Sequence, residues 1–189
     1  MLKKYLLTAF AAALPLMAQN SAELNLNSDD IEIAGRLETG QNFAYDGRSS
    51  RNYLHARYLY SGESRTGNKH LGEVGYLATG TVGTLTRLRF GIGLMASFSD
   101  NYVAVPIGLT VKYHVPVAWP VSLNASLYAA PDPLVFADGD GYSAYRIGIE
   151  SQVIPNASIY GGYRNIDLKY ENGREDFNDG WYVGVRFYF

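Results

Sequence analysis

The stretch Trp181-Tyr182-Val183-Gly184-Val185-Arg186-Phe187-Tyr188-Phe189 decides how the remainder of the chain is read. Trp181, Val183, Val185, Phe187 and Phe189 alternate with Tyr182, Gly184, Arg186 and Tyr188. A side-chain period of two describes a strand with one apolar and one mixed face. The stretch ends on an aromatic residue with no polar tail. In water such a strand is a sticky edge. In a membrane barrel it is required, because it closes the sheet and turns its apolar face to lipid. The competing reading is the last strand of a soluble β-sandwich.

The other end of the chain supports export. Met1-Leu2-Lys3-Lys4 is a short basic start, Tyr5 to Met17 is apolar and alanine-rich, and small residues stand at Ala18 and Ala22. That is the layout of a secretory signal peptide. Its apolar run of about 13 residues is too short for the roughly 20 that a membrane helix needs. Residues 1–22 are therefore expected to be a signal, cleaved after Ala18 or Ala22, with a single domain over 23–189.

Removing Lys3 and Lys4 from the 16 basic residues leaves 14 against 18 acidic ones, a net charge of −4. Such mild acidity gives no reason to expect nucleic acid as a partner. The chain has no cysteine, so it has no disulfide, no thiolate metal site and no acceptor for a lipoprotein anchor. Its 16 Tyr and 20 Gly suit strands, interfaces, turns and crowded barrel walls. No run of 18 apolar residues follows residue 23, so no membrane helix is available.

Alternation predicts eight strands, over about 51–60, 70–79, 84–97, 102–115, 119–130, 142–154, 157–169 and 180–189. A hairpin of 22–27 and 31–37, turning at Ser28-Asp29-Asp30, adds two strands or none. The clearest strand is 102–115, where Val103, Val105, Ile107, Leu109, Val111, Tyr113 and Val115 share a face. Fully extended it spans about 46 Å, or about 33 Å at a 45° tilt, enough for an apolar band of about 25 Å. Register is least defined at 70–79 and beyond Arg164, where a bulge is expected. Connections alternate between short ones (80–83, 116–118, 155–156) and longer polar ones (61–69, 131–141, 171–179), the pattern of periplasmic turns and external loops. The expected fold is all-β: a transmembrane antiparallel up-and-down β-barrel of eight to ten strands.

The face opposite the apolar one carries Arg57, Arg87, Arg89, Lys112, Arg146, Glu150, Arg164 and Arg186. A charge facing lipid at the midplane costs about 2–4 kcal/mol, so these residues belong in the lumen. Glu73 and Glu150 are the expected partners of the basic set. Tyr113, Trp119 and Phe189 fall at periplasmic strand ends, while Phe98, Tyr145 and Trp181 fall at outer ends, giving two aromatic girdles.

The terminal stretch also resembles the C-terminal assembly signal of bacterial outer-membrane proteins, carried by Tyr182, Gly184, Phe187 and Phe189. The second half, through Leu127-Tyr128-Ala129-Ala130-Pro131-Asp132-Pro133-Leu134, Gly162-Tyr163-Arg164-Asn165-Ile166 and the run to Phe189, resembles the YfaZ family of predicted outer-membrane proteins. The resemblance is good over about 120–189 and weak before residue 80. It implies a small barrel in the outer membrane and carries over no catalytic residues.

Candidate chemistry is sparse. The lumen charges read either as a packed ion-pair and tyrosine network or as a narrow anion-selective path, which ten strands would favour over eight. Small barrels that modify lipid A use His and Ser near the outer leaflet. Here His70 lies near Ser61 and Ser64, but His55, His70 and His114 have no tight Ser spacing and no distinct acidic partner. They read as interfacial or loop histidines. Asp138-Gly139-Asp140-Gly141 offers carboxylates to Ca²⁺ bridging lipopolysaccharide phosphates, yet too few for a complete site, and reads as a turn. The expectation is a structural or interaction component of the envelope, without cofactor or metal. Its expected partners are outer-membrane lipids, lipopolysaccharide and, during biogenesis, the barrel assembly machinery. A narrow channel and an outer-leaflet enzyme are the alternatives.

Overall fold

The structure is a computed structural model that describes residues 20–43, 49–62, 69–81, 85–170 and 173–189. Residues 1–19, which hold most of the expected signal, and Ser64 lie outside the described residues. The strands are β1 (Ser21–Leu26), β2 (Asp30–Phe43), β3 (Ser49–Ser61), β4 (Lys69–Thr81), β5 (Leu88–Ser99), β6 (Tyr102–Ala104), β7 (Ile107–His114), β8 (Val121–Ala130), β9 (Val135–Ala137), β10 (Gly139–Ile154), β11 (Ala157–Tyr170) and β12 (Gly173–Tyr188). All but β6 and β9 form a closed antiparallel barrel of ten strands.

The terminal stretch closes it. β12 pairs with β1, Ser21 opposite Tyr188 and Leu26 opposite Val183. Asn20 and Phe189 then exchange backbone hydrogen bonds of 3.2 and 3.1 Å. The N-terminal hairpin thus supplies two barrel strands. Its turn is held by the Asn27 side chain, whose Oδ1 accepts from the N–H groups of Asp29 and Asp30 at 2.9 and 2.6 Å, as Asx turns do. Asn20 and Phe189 mark one end of the barrel, here the terminal end. The β1–β2 turn and the β8–β10 connection lie at the other, distal end.

Three strand assignments differ from the alternation. The run 102–115 breaks at Pro106, which has no N–H for the ladder. β6 turns away to pair with β9, while β7 continues between β5 and β8. Val105 N donates to Leu134 O at 2.8 Å and Met95 N to Pro106 O at 2.9 Å, which keeps the wall sealed at the break. The strand expected from Thr84 begins only at Leu88, after a turn at Thr86-Arg87. Most of the loop expected at 171–179 is strand: β12 starts at Gly173 and pairs with β11 from Tyr170 onward. The bulge expected beyond Arg164 falls between Ile166 and Asp167.

The apolar face points outward. Ile92, Leu109 and Val183 are 64%, 59% and 66% exposed, while Gly91, Gly93, Met95, Ser97 and Gly108 on the other face are buried. Water-soluble monomers rarely expose contiguous apolar patches beyond a few hundred Å². A belt of this kind around a closed barrel requires lipid, and the soluble-sandwich reading fails on it.

Inside, the distal third is filled by an apolar cluster including Leu59, Leu71, Tyr102, Ala130, Val135, Tyr142, Ile166, Leu168 and Phe177. Tyr102 Oη donates to Gly141 O at 2.6 Å and seats the β6–β9 flap on β10. Further in, the Tyr128 ring crosses the wall at Gly108 and Gly93. A Cβ at Gly93 would come within 2.5 Å of Tyr128 Oη, and one at Gly108 would overlap the ring itself.

Candidate functional site

Beneath the apolar cluster lies a layer of buried charge built around four glutamates. Glu32 on β2 is 1% exposed. Its carboxylate accepts from Arg146 Nη2 at 2.7 and 2.9 Å and from Arg164 Nη1 at 2.5 Å, with Arg57 Nη1 at 3.5 Å. The Asn25 amide also donates to it. Glu73 on β4 accepts from Arg57 Nε at 2.6 Å, Tyr142 Oη at 2.7 Å and Ser97 Oγ at 3.0 Å. Arg57 therefore bridges two carboxylates. Arg164 Nε also donates to Asn178 Oδ1 at 2.6 Å.

A second group lies nearer the terminal end. Arg186 Nη1 reaches Glu150 at 2.6 Å, and its Nε lies 2.9 Å from Glu23. Glu150 also accepts from Lys112 Nζ at 3.0 Å and Tyr188 Oη at 2.6 Å. Glu23 receives Tyr160 Oη at 3.2 Å and faces Arg36 Nε at 3.5 Å. Aromatic rings join the groups. Arg146 and Arg164 lie 4.9 and 5.7 Å from the centre of the Tyr182 ring, and Arg186 lies 5.0 Å from that of Tyr160. The two tyrosines meet edge to face at 6.1 Å. Buried charges persist only when paired and hydrogen-bonded, and here each carboxylate has several donors.

The lumen set expected from sequence is thus brought together in part. Arg57, Lys112, Arg146, Glu150, Arg164 and Arg186 share the network. Arg89 points inward but lies outside it, half-buried near the terminal end. Arg87 is not in the lumen. It sits exposed in the turn before β5, where its carbonyl accepts from His114 N at 2.8 Å. The sequence reading missed Glu23, Glu32, Asn25, Asp30, Tyr160 and Asn178 as members. The signal was there for two of them: Glu23 and Glu32 occupy the face opposite Leu24 and Ile31–Ile33 in a hairpin whose membership was left open.

Tyr182 faces the lumen under its arginines, and Gly184 gives Asn25 and Tyr160 room beside β12. Phe187 and Phe189 face outward. Phe98, Tyr113, Trp119, Tyr145 and Trp181 are all exposed. Tyr145, Tyr163 and Trp181 form an external ladder with ring centres 6.0 and 5.6 Å apart. His55 is neither interfacial nor in a loop: it faces inward beside Arg36 and Arg57 and lines a central cavity of about 90 Å³. His70 is exposed at the distal end, bonded to Tyr58 Oη at 2.5 Å, and His114 bonds Ser122 Oγ at 2.9 Å. Asp138 and Asp140 are exposed next to Ala137, whose φ is 64°. Among the described residues, no group of three or more His, Asp or Glu is placed to hold a metal ion.

At the terminal end the lumen opens into a vestibule of about 740 Å³. Its lining includes Arg36, Arg89, Lys112, His114, Thr110 and Asn124, with Glu150 the only carboxylate among the described residues.

A family model described as YfaZ precursor matches residues 10–189. A search of curated proteins gives no match. Among solved structures, a chain described as "Unveiling the Mechanism Behind the in-meso Crystallization of Membrane Proteins" aligns over 91% of this chain and 83% of that one, at 11% identity and a TM-score of 0.42. That likeness is too loose to carry an argument.

Proposed function

We propose that this chain, which belongs to the YfaZ family, is an integral barrel of the bacterial outer membrane. In this reading it serves the envelope as a structural or interaction component, with its terminal end towards the periplasm. The observation that carries the reading is the filled lumen. Ten strands leave room for a narrow path, but the apolar cluster caps the distal end over a layer of paired charges. An ion moving along the axis would have to part both. The outward Phe187 and Phe189 remain available to the assembly machinery.

The test is conductance. Purified protein in planar bilayers should give no discrete current steps. Steps that scale with the amount of protein would favour the anion-preferring channel instead. A change in lipid A mass on overexpression would favour an outer-leaflet enzyme.

The pairing of β1 also bears on processing. Ser21 and Ala22 are ladder residues opposite Tyr188 and Phe187. Cleavage after Ala22 would strip both from the closing seam, whereas cleavage after Ala18 leaves the seam whole. The intact mass of protein extracted from outer membranes should place Gln19 at the N-terminus. A mass starting at Glu23 would contradict this.

A further inference from the structure

We infer that the vestibule at the terminal end binds the phosphate group of a small anionic ligand. The argument starts from β5 and β7, where Arg89 and Lys112 stand directly opposite each other. Like charges in a cross-strand pair are destabilising. Lys112 escapes by reaching across to Glu150 at 3.0 Å. Arg89 has no carboxylate within reach among the described residues, although it is half-buried in the wall of the cavity. Arg36 adds to the excess, because the glutamate it faces, Glu23, is shared with Arg186.

A guanidinium in a partly desolvated wall gains most from a multiply charged oxygen acceptor, which it can engage with two parallel N–H groups. Hydroxyl and amide donors stand nearby, since Thr110, Ser122 and Asn124 line the same space. A volume of about 740 Å³ lies within the 300–1,000 Å³ usual for small-molecule sites. The distal plug makes the vestibule a cup closed at its far end, which suits retention of a ligand. The phosphate group has two sources, a soluble phosphate compound or the headgroup of a lipid, and the recognising chemistry is the same for both.

The experiment uses the protein refolded in non-ionic detergent, with calorimetric titration of inorganic pyrophosphate in one arm and dihexanoyl phosphatidic acid in the other. Dihexanoyl phosphatidylcholine is the zwitterionic control. Saturable binding of either acidic probe, weakened by added salt, is expected. The arm that binds identifies the source. Arg89→Gln should weaken binding at least tenfold, and Arg89→Lys, which keeps the charge but loses the two parallel N–H groups, should recover only part of it. Asn124→Asp, opposite Lys112 in the ladder, supplies an internal carboxylate and should weaken binding as strongly. Different gel mobility before and after boiling certifies that each variant is folded. Absence of binding in both arms, or wild-type affinity in both Arg89→Gln and Asn124→Asp, would overturn the inference. The titration is done in micelles, so its outcome is independent of whether the barrel conducts.

Discussion

Glu32→Gln is expected to destabilise the barrel by about 3–5 kcal/mol, the usual cost of removing one partner from a buried ion pair. The substitution keeps the shape of the side chain, so no cavity forms, and the loss reports the charge together with one acceptor oxygen exchanged for an NH2 donor. Glu32 is the common acceptor of Arg146 and Arg164 and lies 3.5 Å from Arg57. With an amide there, Arg146 keeps no carboxylate partner among the described residues. Arg164 keeps the neutral Asn178 at 2.6 Å and, as a carboxylate, the longer contact to Asp30 at 3.5 Å, and Arg57 keeps Glu73. Urea unfolding in phospholipid vesicles, followed by tryptophan fluorescence, measures the change. A loss below about 1 kcal/mol, the range of exposed ion pairs, would mean that the layer is hydrated and that its charges are not mutually dependent.

Leu109→Arg should cost about 2–4 kcal/mol in vesicles, because it places a guanidinium on the lipid face near mid-strand. Leu109 lies in β7 between Ile92 of β5 and Leu127 of β8, and all three are exposed. Lys112→Ala is the comparison. Lys112 stands three residues along β7, on the other face, and its loss leaves Glu150 with Arg186 at 2.6 Å and Tyr188 at 2.6 Å. It should therefore fold in higher yield than Leu109→Arg. Equal yields would show that the outward face is not in contact with lipid.

Much of this was legible in the sequence because the outward face is written plainly. Alternation in Phe90, Ile92 and Leu94 or in Ile107, Leu109 and Val111 reports a single environment, and the structure keeps those faces together. The break at Pro106 was harder to see. Val103 and Val105 continue the same alternation, and only the missing N–H of proline argues against an unbroken strand. The loop expected at 171–179 failed for a related reason. Its polar composition marks a loop under the usual rule, but these residues extend the β11–β12 hairpin, where the ladder depends on backbone groups and tolerates polar side chains.

The charged layer was readable in kind but not in membership. Inward arginines could be located one strand at a time, whereas their partners are set by how the strands close. Arg146, Arg164 and Arg186 meet glutamates 114, 132 and 163 residues away. No local pattern carries that information. The Arg89 excess was equally invisible, since a lone basic residue on a strand reads the same whether or not a carboxylate faces it. Arg87, one step before a strand whose start was placed too early, shows how a boundary error becomes an error of face.

The N-terminal hairpin has a consequence for the order of assembly. β1 and β2 contribute Glu23, Asp30 and Glu32 to the layer against a single arginine, Arg36. The eight barrel strands from β3 to β12, with β6 and β9 set aside, are an even number and have the outward face to form a smaller barrel by themselves. Such a ring would enclose Arg57, Arg146, Arg164 and Arg186 with only Glu73 and Glu150 of the four glutamates. Self-repulsion opposes that closure, so the hairpin acts as a keystone: the ring is electrically complete only when its first two strands arrive. A chain shortened to begin at Ser49 should remain an open sheet, although strand count alone would let it close.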